Sequence, residues 1–111
     1  MTPDQIRALK PGPELDRAVC EIIMEVKNPA RPPAYSTTWA GLGLVVEEME
    51  RRGYDHMTEY CRLAPEPHGT GFHFGAEADI FGRFDGPDRF ENTAKAALLA
   101  LAAERAGRGE G

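Results

Sequence analysis

The segment of residues 36–52 constrains the fold most strongly. Its apolar side chains recur at spacings of three and four, as they do along one face of an α-helix, and they are Trp39, Leu42, Val45, Val46 and Met49. Ser36, Thr37 and Thr38 supply hydroxyls that can cap the helix start, and Gly53 is a natural left-handed stop. The sequence therefore predicts an amphipathic helix that buries this stripe against another element.

Two glycines, Gly41 and Gly43, lie within this predicted helix. Each costs up to about 1 kcal/mol of helix stability relative to alanine. We therefore expect both to mark places where another element approaches closely.

The hydrophobic period changes from helical to alternating after Gly53. Residues 56–63, 70–77 and 78–85 have the pattern of three strands, and glycine- and proline-rich turns are predicted at residues 65–69 and 86–88. Phe72, Phe74, Ile80 and Phe84 are expected on apolar strand faces. Consecutive strands joined by short turns predict an antiparallel meander.

Further helices are predicted before and after the three strands in the chain. A short helix begins at Thr2 and Pro3, and a second runs from Pro13 to a stop at Asn28-Pro29. Residues 27–35 form a proline-rich connection. A last, alanine-rich helix begins near Asn92 or Thr93.

The element order is thus α-α-α-β-β-β-α, an α+β fold with a three-stranded antiparallel sheet packed by helices. At 111 residues the chain has room for one domain, which we place at residues 1–106 with a disordered tail at 107–111. In the last helix, Lys95 and Arg105 are expected to project away from the core.

Charge and composition exclude several classes of function. The net charge of -5, from 18 acidic and 13 basic residues, argues against direct binding of nucleic acid. No apolar run reaches the length of a membrane helix, and the start lacks the pattern of a secretory signal. We expect a cytoplasmic protein that does not contact a membrane.

No catalytic residue, metal ligand set or cofactor motif stands out. Cys20 and Cys61 are widely separated and predict buried free thiols, while the spacing of His56, His68 and His73 selects no metal. The glycines of residues 69–75 do not open a helix and are not followed by Lys-Ser/Thr, unlike a phosphate-binding loop. We therefore expect a protein that is not an enzyme and carries no cofactor.

Two surfaces are candidates for binding. The first is a protein-binding surface on the central helix, formed by Trp39, Glu47, Glu48 and Glu50. The alternative is a site for a small-molecule nucleotide signal, with contacts from Arg62, His73 and Arg83. A homodimer that packs through Trp39 and Leu42 is a further alternative. Another is a binding surface on the second face of the sheet, which could carry His56, Tyr60, His73 and Phe81.

Several local strings, taken in order, resemble the small phage and prophage proteins of the phage ABA sandwich family. They are Pro-Gly-Pro-Glu-Leu-Asp-Arg-Ala-Val from Pro11, Pro-Ala-Tyr-Ser-Thr from Pro33, Val-Val-Glu-Glu-Met from Val45 and Asn-Thr-Ala-Lys-Ala-Ala-Leu-Leu-Ala from Asn92. Family members often carry an aromatic residue where this chain has Gly43, whereas here Trp39 comes earlier.

The resemblance implies a small antiparallel sheet with helices around it, and a family whose activity is undefined. Together with the acidity and small size, it leads us to expect a phage accessory protein that inhibits a host defence complex in the bacterial cell. Its partner would be a host protein, and the surface bound could be a basic one that evolved for nucleic acid.

Overall fold

The computed structural model describes residues 1–60, 67–74 and 80–107. Its helices are α1 (Pro3–Ala8), α2 (Pro13–Ala18), α3 (Trp39–Arg51) and α4 (Arg89–Gly107), with a π-helical segment at Val19–Ile23 directly after α2. Its strands are β1 (Asp55–Tyr60), β2 (Pro67–Phe74) and β3 (Ile80–Asp85). The predicted strand residues 61–63 and 75–79, the turn residues 65–66 and Cys61 fall outside the described residues.

The three strands form one antiparallel sheet in the order β1-β2-β3, so the predicted α+β class and meander are confirmed. His56 pairs with Phe72, which pairs with Gly82 on the third strand. Residues 67–69 were predicted as part of a turn, but they pair with β1 and belong to β2. The flanking prolines suggested a turn, and the antiparallel ladder extends through this segment instead.

The helices that reach the sheet lie on one side of it. Helix α4 packs on β2 and β3, and α3 packs on both β1 and α4. Helix α4 approaches β3 closely at Gly82, where an added Cβ would collide with the backbone of Ala96 and Ala100. The absence of a side chain at Gly82 therefore lets α4 lie directly on the edge strand.

Phe72 is fully buried at the centre of this layer, and His56 stacks on it at 4.9 Å between ring centroids. His56 therefore lies on the same sheet face as Phe72, which α4 covers, and not on an open second face. Alternation along the strands puts Met57, Arg83 and Asp85 on the side away from α4, where Met57 and Asp85 are exposed.

Helix α1 begins as predicted. The Thr2 hydroxyl accepts a hydrogen bond from the Gln5 backbone N–H, and the Gln5 side chain accepts one from the Thr2 backbone N–H, which forms a capping box. The second helix is shorter than predicted. It widens into the π-helical segment and stops at Met24, because Glu25 adopts a left-handed backbone with φ of 59°.

Helix α3 begins at Trp39 and not at Ser36, because Thr38 provides the cap. Ser36 is buried instead, where its backbone N–H and its hydroxyl both donate to the Asp16 carboxylate at 2.7 Å. Gly41 meets the backbone of Ala34 and Tyr35, so its predicted close approach is confirmed. The same prediction for Gly43 is wrong, since no other element among residues 1–60, 67–74 and 80–107 comes within 4 Å of an added Cβ there.

Helix α4 begins at Arg89, three residues before the predicted start, because the Asp88 carboxylate accepts from the backbone N–H of Phe90 and Glu91. The prediction for Lys95 is also wrong. Its side chain is 3% exposed and its ammonium donates to the Arg7 carbonyl at 2.8 Å and to Glu91 at 2.7 Å. This contact fastens α1 to α4. Gly107 belongs to the helix, and residues 108–111 lie outside the described residues.

Candidate functional site

Trp39 is the first residue of α3, and 63% of it is exposed to solvent. Thr38 fixes the backbone at this point: its hydroxyl accepts from the Gly41 backbone N–H at 3.0 Å and donates to the Ala34 carbonyl at 2.8 Å. The largest aromatic side chain of the protein is therefore presented from a capped helix end.

Two residues of the first turn of α4 hold the indole ring. Phe90 contacts it edge to face, with 5.2 Å between ring centroids and an interplanar angle of 82°. The Arg89 guanidinium carbon lies 4.7 Å from the centroid of the Trp39 ring. Such aromatic and cation–π contacts each contribute about 1 kcal/mol, so the ring is ordered although most of it faces water.

The exposed side of α3 continues from Trp39 along one face. Gly43, Glu47 and Glu50 follow it at spacings of four, eight and eleven residues, which place them on the same side of a helix, and all three are exposed. We call this set the Trp39 surface, and it consists of Trp39, Gly43, Glu47, Glu50, Arg89 and Phe90.

Glu48 is placed differently from its neighbours Glu47 and Glu50. Its side chain is 13% exposed and forms ion pairs with Arg51 and Arg52. The hydrogen bonds from Arg51 lower the pKa of the Glu48 carboxyl below its ordinary value. Arg52 in turn donates to the Ile23 carbonyl at 2.6 Å. Glu48 therefore belongs to a network that joins α3 to the π-helical segment.

The alternative ligand set is only partly described. Arg83 lies on β3, where its guanidinium pairs with Asp85 at 2.7 Å. The backbone of His73 lies in β2, opposite Asp55 and Phe81 in the register. Arg62 falls outside the described residues. A common site for these three residues therefore stays a prediction.

Two further titratable groups, His56 and Tyr35, have pKa values shifted by burial. Burial lowers the pKa of His56 below its ordinary value, although Glu50 acts in the opposite direction. Burial also raises the pKa of the Tyr35 hydroxyl, with Cys20 and Asp16 acting in the same direction. Cys20 is a buried free thiol, as predicted. Within residues 1–60, 67–74 and 80–107, no cluster of three or more His, Cys, Asp or Glu side chains could hold a metal ion.

A cavity of about 600 Å³ opens between α1, β3 and the C-terminal half of α4. Its walls are aliphatic side chains, and Arg7, Arg83 and Arg105 also line it. The sequence predicts Arg83 as a ligand contact and predicts that Arg105 projects from the core, where it is exposed. It does not indicate Arg7, nor the roles of Arg89 and Phe90. Only the Asp88 cap could have indicated that Arg89 and Phe90 open a helix, and no local signal places them beside Trp39.

Comparison with known proteins gives no relative: no family model, curated protein or solved structure matches this chain. In the part of the chain that the structure describes, no helix is both long enough and apolar enough to cross a membrane. The geometry of the surface and the cavity is therefore the basis on which function can be argued.

Proposed function

We propose that this protein acts without catalysis, by binding another protein through the Trp39 surface. The observation that carries the proposal is a tryptophan that is 63% exposed and yet held in place by Phe90 and Arg89. Tryptophan and arginine are the residue types that dominate the energy of protein interfaces. A ring that is already ordered loses less conformational entropy on binding, which favours affinity.

Gly43 gives independent support. A glycine inside a helix costs about 1 kcal/mol relative to alanine, and within the described residues no other element packs against this one. A sequence that departs from a local stability rule without an internal reason often does so at a functional position. One turn beyond Trp39, the bare backbone at Gly43 leaves room for a partner side chain to lie flat on α3.

The charges of the Trp39 surface indicate the kind of partner. Glu47 and Glu50 are exposed and lie beyond the aromatic end of the helix. A complementary partner has an apolar pocket for the indole ring, bordered by basic side chains that face the two glutamates. In the setting that we propose from the sequence resemblance, this partner belongs to a bacterial defence complex and the protein is a phage-encoded inhibitor.

The experiment compares matched surface variants in affinity purification from the host bacterium. Trp39→Ala removes the aromatic anchor. The double variant Glu47→Lys/Glu50→Lys reverses the charge of the surface. Leu44→Ala is the control, because Leu44 is 45% exposed on the same helix but lies about 140° around its axis from Trp39. The proposal predicts a protein retained by the wild type and by Leu44→Ala and lost with the other two variants.

The retained protein is then purified and titrated with each variant. Trp39→Ala should weaken the complex by about 2 kcal/mol or more, which is roughly a thirtyfold increase in Kd. Charge reversal should also slow association and weaken its salt dependence. Equal affinity for the wild type and Trp39→Ala would refute the proposal. So would self-association of the protein through Trp39 in sedimentation experiments, since the surface would then serve a homodimer.

The host setting has its own test. Phage plating is measured on bacteria with an active defence system that express either the wild type or Trp39→Ala. The proposal predicts restored plating with the wild type and with Leu44→Ala, and no restoration with Trp39→Ala. If plating is unchanged while the protein complex still forms, the binding surface stands and the inhibitor role fails.

A further inference from the structure

The cavity between α1, β3 and α4 has the dimensions of a ligand site. Its volume of about 600 Å³ lies in the range of pockets that take small organic molecules. The walls are aliphatic, with contributions from Ile6 on α1, Ile22 beside it and Leu98 on α4. A ligand with a hydrocarbon body would therefore transfer that body from water to an apolar surface.

The charged groups around the cavity are of one sign. Among the described residues that line it, three are arginines, Arg7, Arg83 and Arg105, and none is acidic. Arg83 lies on the strand face away from α4, where its guanidinium pairs with Asp85 at 2.7 Å, so Arg7 and Arg105 are the arginines whose charges can act on a ligand. Arg7 pairs with Asp4 at 3.4 Å. The Arg7–Asp4 pair is largely exposed and such pairs are weak, so a bound anion can replace Asp4 at little cost.

The residue types that line the cavity distinguish between two kinds of anionic ligand. Nucleotides are commonly held by aromatic side chains that stack on the base. No aromatic side chain is among the described residues that line this cavity. An aliphatic chain needs no such partner, so the composition of the walls favours a lipid-like anion over a nucleotide.

The wall that α1 forms is fastened in place. The Lys95 ammonium donates to the Arg7 carbonyl, in the last turn of this short helix, and Ile6 is buried against the core. A pocket that exists before the ligand arrives requires no rearrangement on binding.

We infer that this cavity binds an amphipathic carboxylate, with an unbranched aliphatic chain on the apolar walls and the carboxylate between Arg7 and Arg105. The site is separate from the Trp39 surface. Phe90 stands at the start of α4, whereas Ala102 lines the cavity twelve residues further on, about 18 Å along the helix axis. Either site can therefore fail its test without affecting the other.

The test uses decanoate as the probe, kept below the concentration at which it forms micelles. Binding is followed by isothermal calorimetry and by chemical shifts in the ¹⁵N–¹H spectrum of the full chain. We expect saturable binding with shifts confined to α1, β3 and the second half of α4. Decanol and decyltrimethylammonium carry the same chain without the negative charge, and both should bind at least about tenfold more weakly.

Two variants and one control locate the site. Arg105→Glu reverses an exposed charge at the rim, and Ala102→Phe fills the cavity, so each should weaken decanoate binding by about tenfold or more. Arg17→Glu makes the same charge change on α2, outside the cavity, and should leave binding unchanged. Equal binding of the cationic probe, no saturable binding at millimolar decanoate, or tighter binding of AMP at the same residues would each overturn the inference.

Discussion

Three glycine-to-alanine substitutions probe how closely the elements of this fold approach one another. Gly41 and Gly43 lie in α3, and Gly82 lies in β3. The same methyl group is added in each case, so the differences among them report the surroundings. At Gly43 an added Cβ has nothing within 4 Å, and alanine should raise the free energy of unfolding by about 0.5–1 kcal/mol through helix propensity alone.

The other two positions should respond with the opposite sign. The Cβ of an alanine at Gly41 would lie 2.5 Å from the Tyr35 Cα, and at Gly82 it would lie 2.6 Å from the Ala100 Cα. Both neighbours are backbone atoms, so a rotamer change cannot relieve the collision. Overpacking of this kind costs about 1–3 kcal/mol, and at Gly41 the helix-propensity gain offsets only part of it.

The assay is equilibrium unfolding in urea followed by far-ultraviolet circular dichroism. We expect Gly43→Ala to raise the midpoint and the other two variants to lower it, with slopes near that of the wild type. In a thermal scan, 1 kcal/mol corresponds to about 4 °C for a domain of this size. If Gly41→Ala and Gly43→Ala change stability equally, the close contact between α3 and the preceding loop does not exist and the packing argument is refuted.

Three further predictions concern buried polar groups. Lys95→Met should lower the free energy of unfolding, measured by urea titration, by about 2 kcal/mol, because it leaves Glu91 and the Arg7 carbonyl without their donor. Adding Glu91→Leu should recover part of this loss. Asp16→Ala should lower the free energy of unfolding by about 2–4 kcal/mol, since both donors of Ser36 lose their acceptor. Asp16→Asn keeps one acceptor oxygen and should lower it less. Equal losses for the two variants would show that these hydrogen bonds do not stabilise the fold. For His56, burial lowers the folded-state pKa below its ordinary value of 6.5, so the unfolded chain binds more protons just below that pH and stability falls on acidification through this range. His56→Phe should flatten that part of the stability profile between about pH 7 and pH 5, and an unchanged profile would contradict the assignment.

Local signals in the sequence predicted the types and order of the elements. The helical stripe of α3, the capping residues at Thr2 and the alternating strands depend on near neighbours, and the structure has each of them. Two of the errors arose where a contact with a residue distant in sequence decided the outcome. Lys95 is buried because a carbonyl 88 residues away accepts from it, and Ser36 left the predicted helix because Asp16 binds it.

The candidate site also combines features that local sequence predicts with features that depend on contacts between distant residues. The exposure of Glu47 and Glu50 follows from the helical period, which the sequence contains. The fixed position of Trp39 depends on Arg89 and Phe90, which the fold brings from the start of α4. The cavity depends on contact between α1, at the start of the chain, and β3 and α4, near its end. From the sequence, Arg83 was named as a ligand contact and Arg105 only as a residue that projects away from the core, while Arg7 was not named.

Trp39 is the only tryptophan in the chain, so its fluorescence reports directly on the surface that we propose to bind the partner. The measurement is the emission maximum and the acrylamide quenching of Trp39 before and after the purified partner is added at saturation, with a partner in which tryptophan has been replaced. Burial of the ring in a partner pocket predicts a shift to shorter wavelength and a several-fold loss of quenching. A complex that forms while Trp39 keeps its emission maximum and its access to acrylamide would contradict the account.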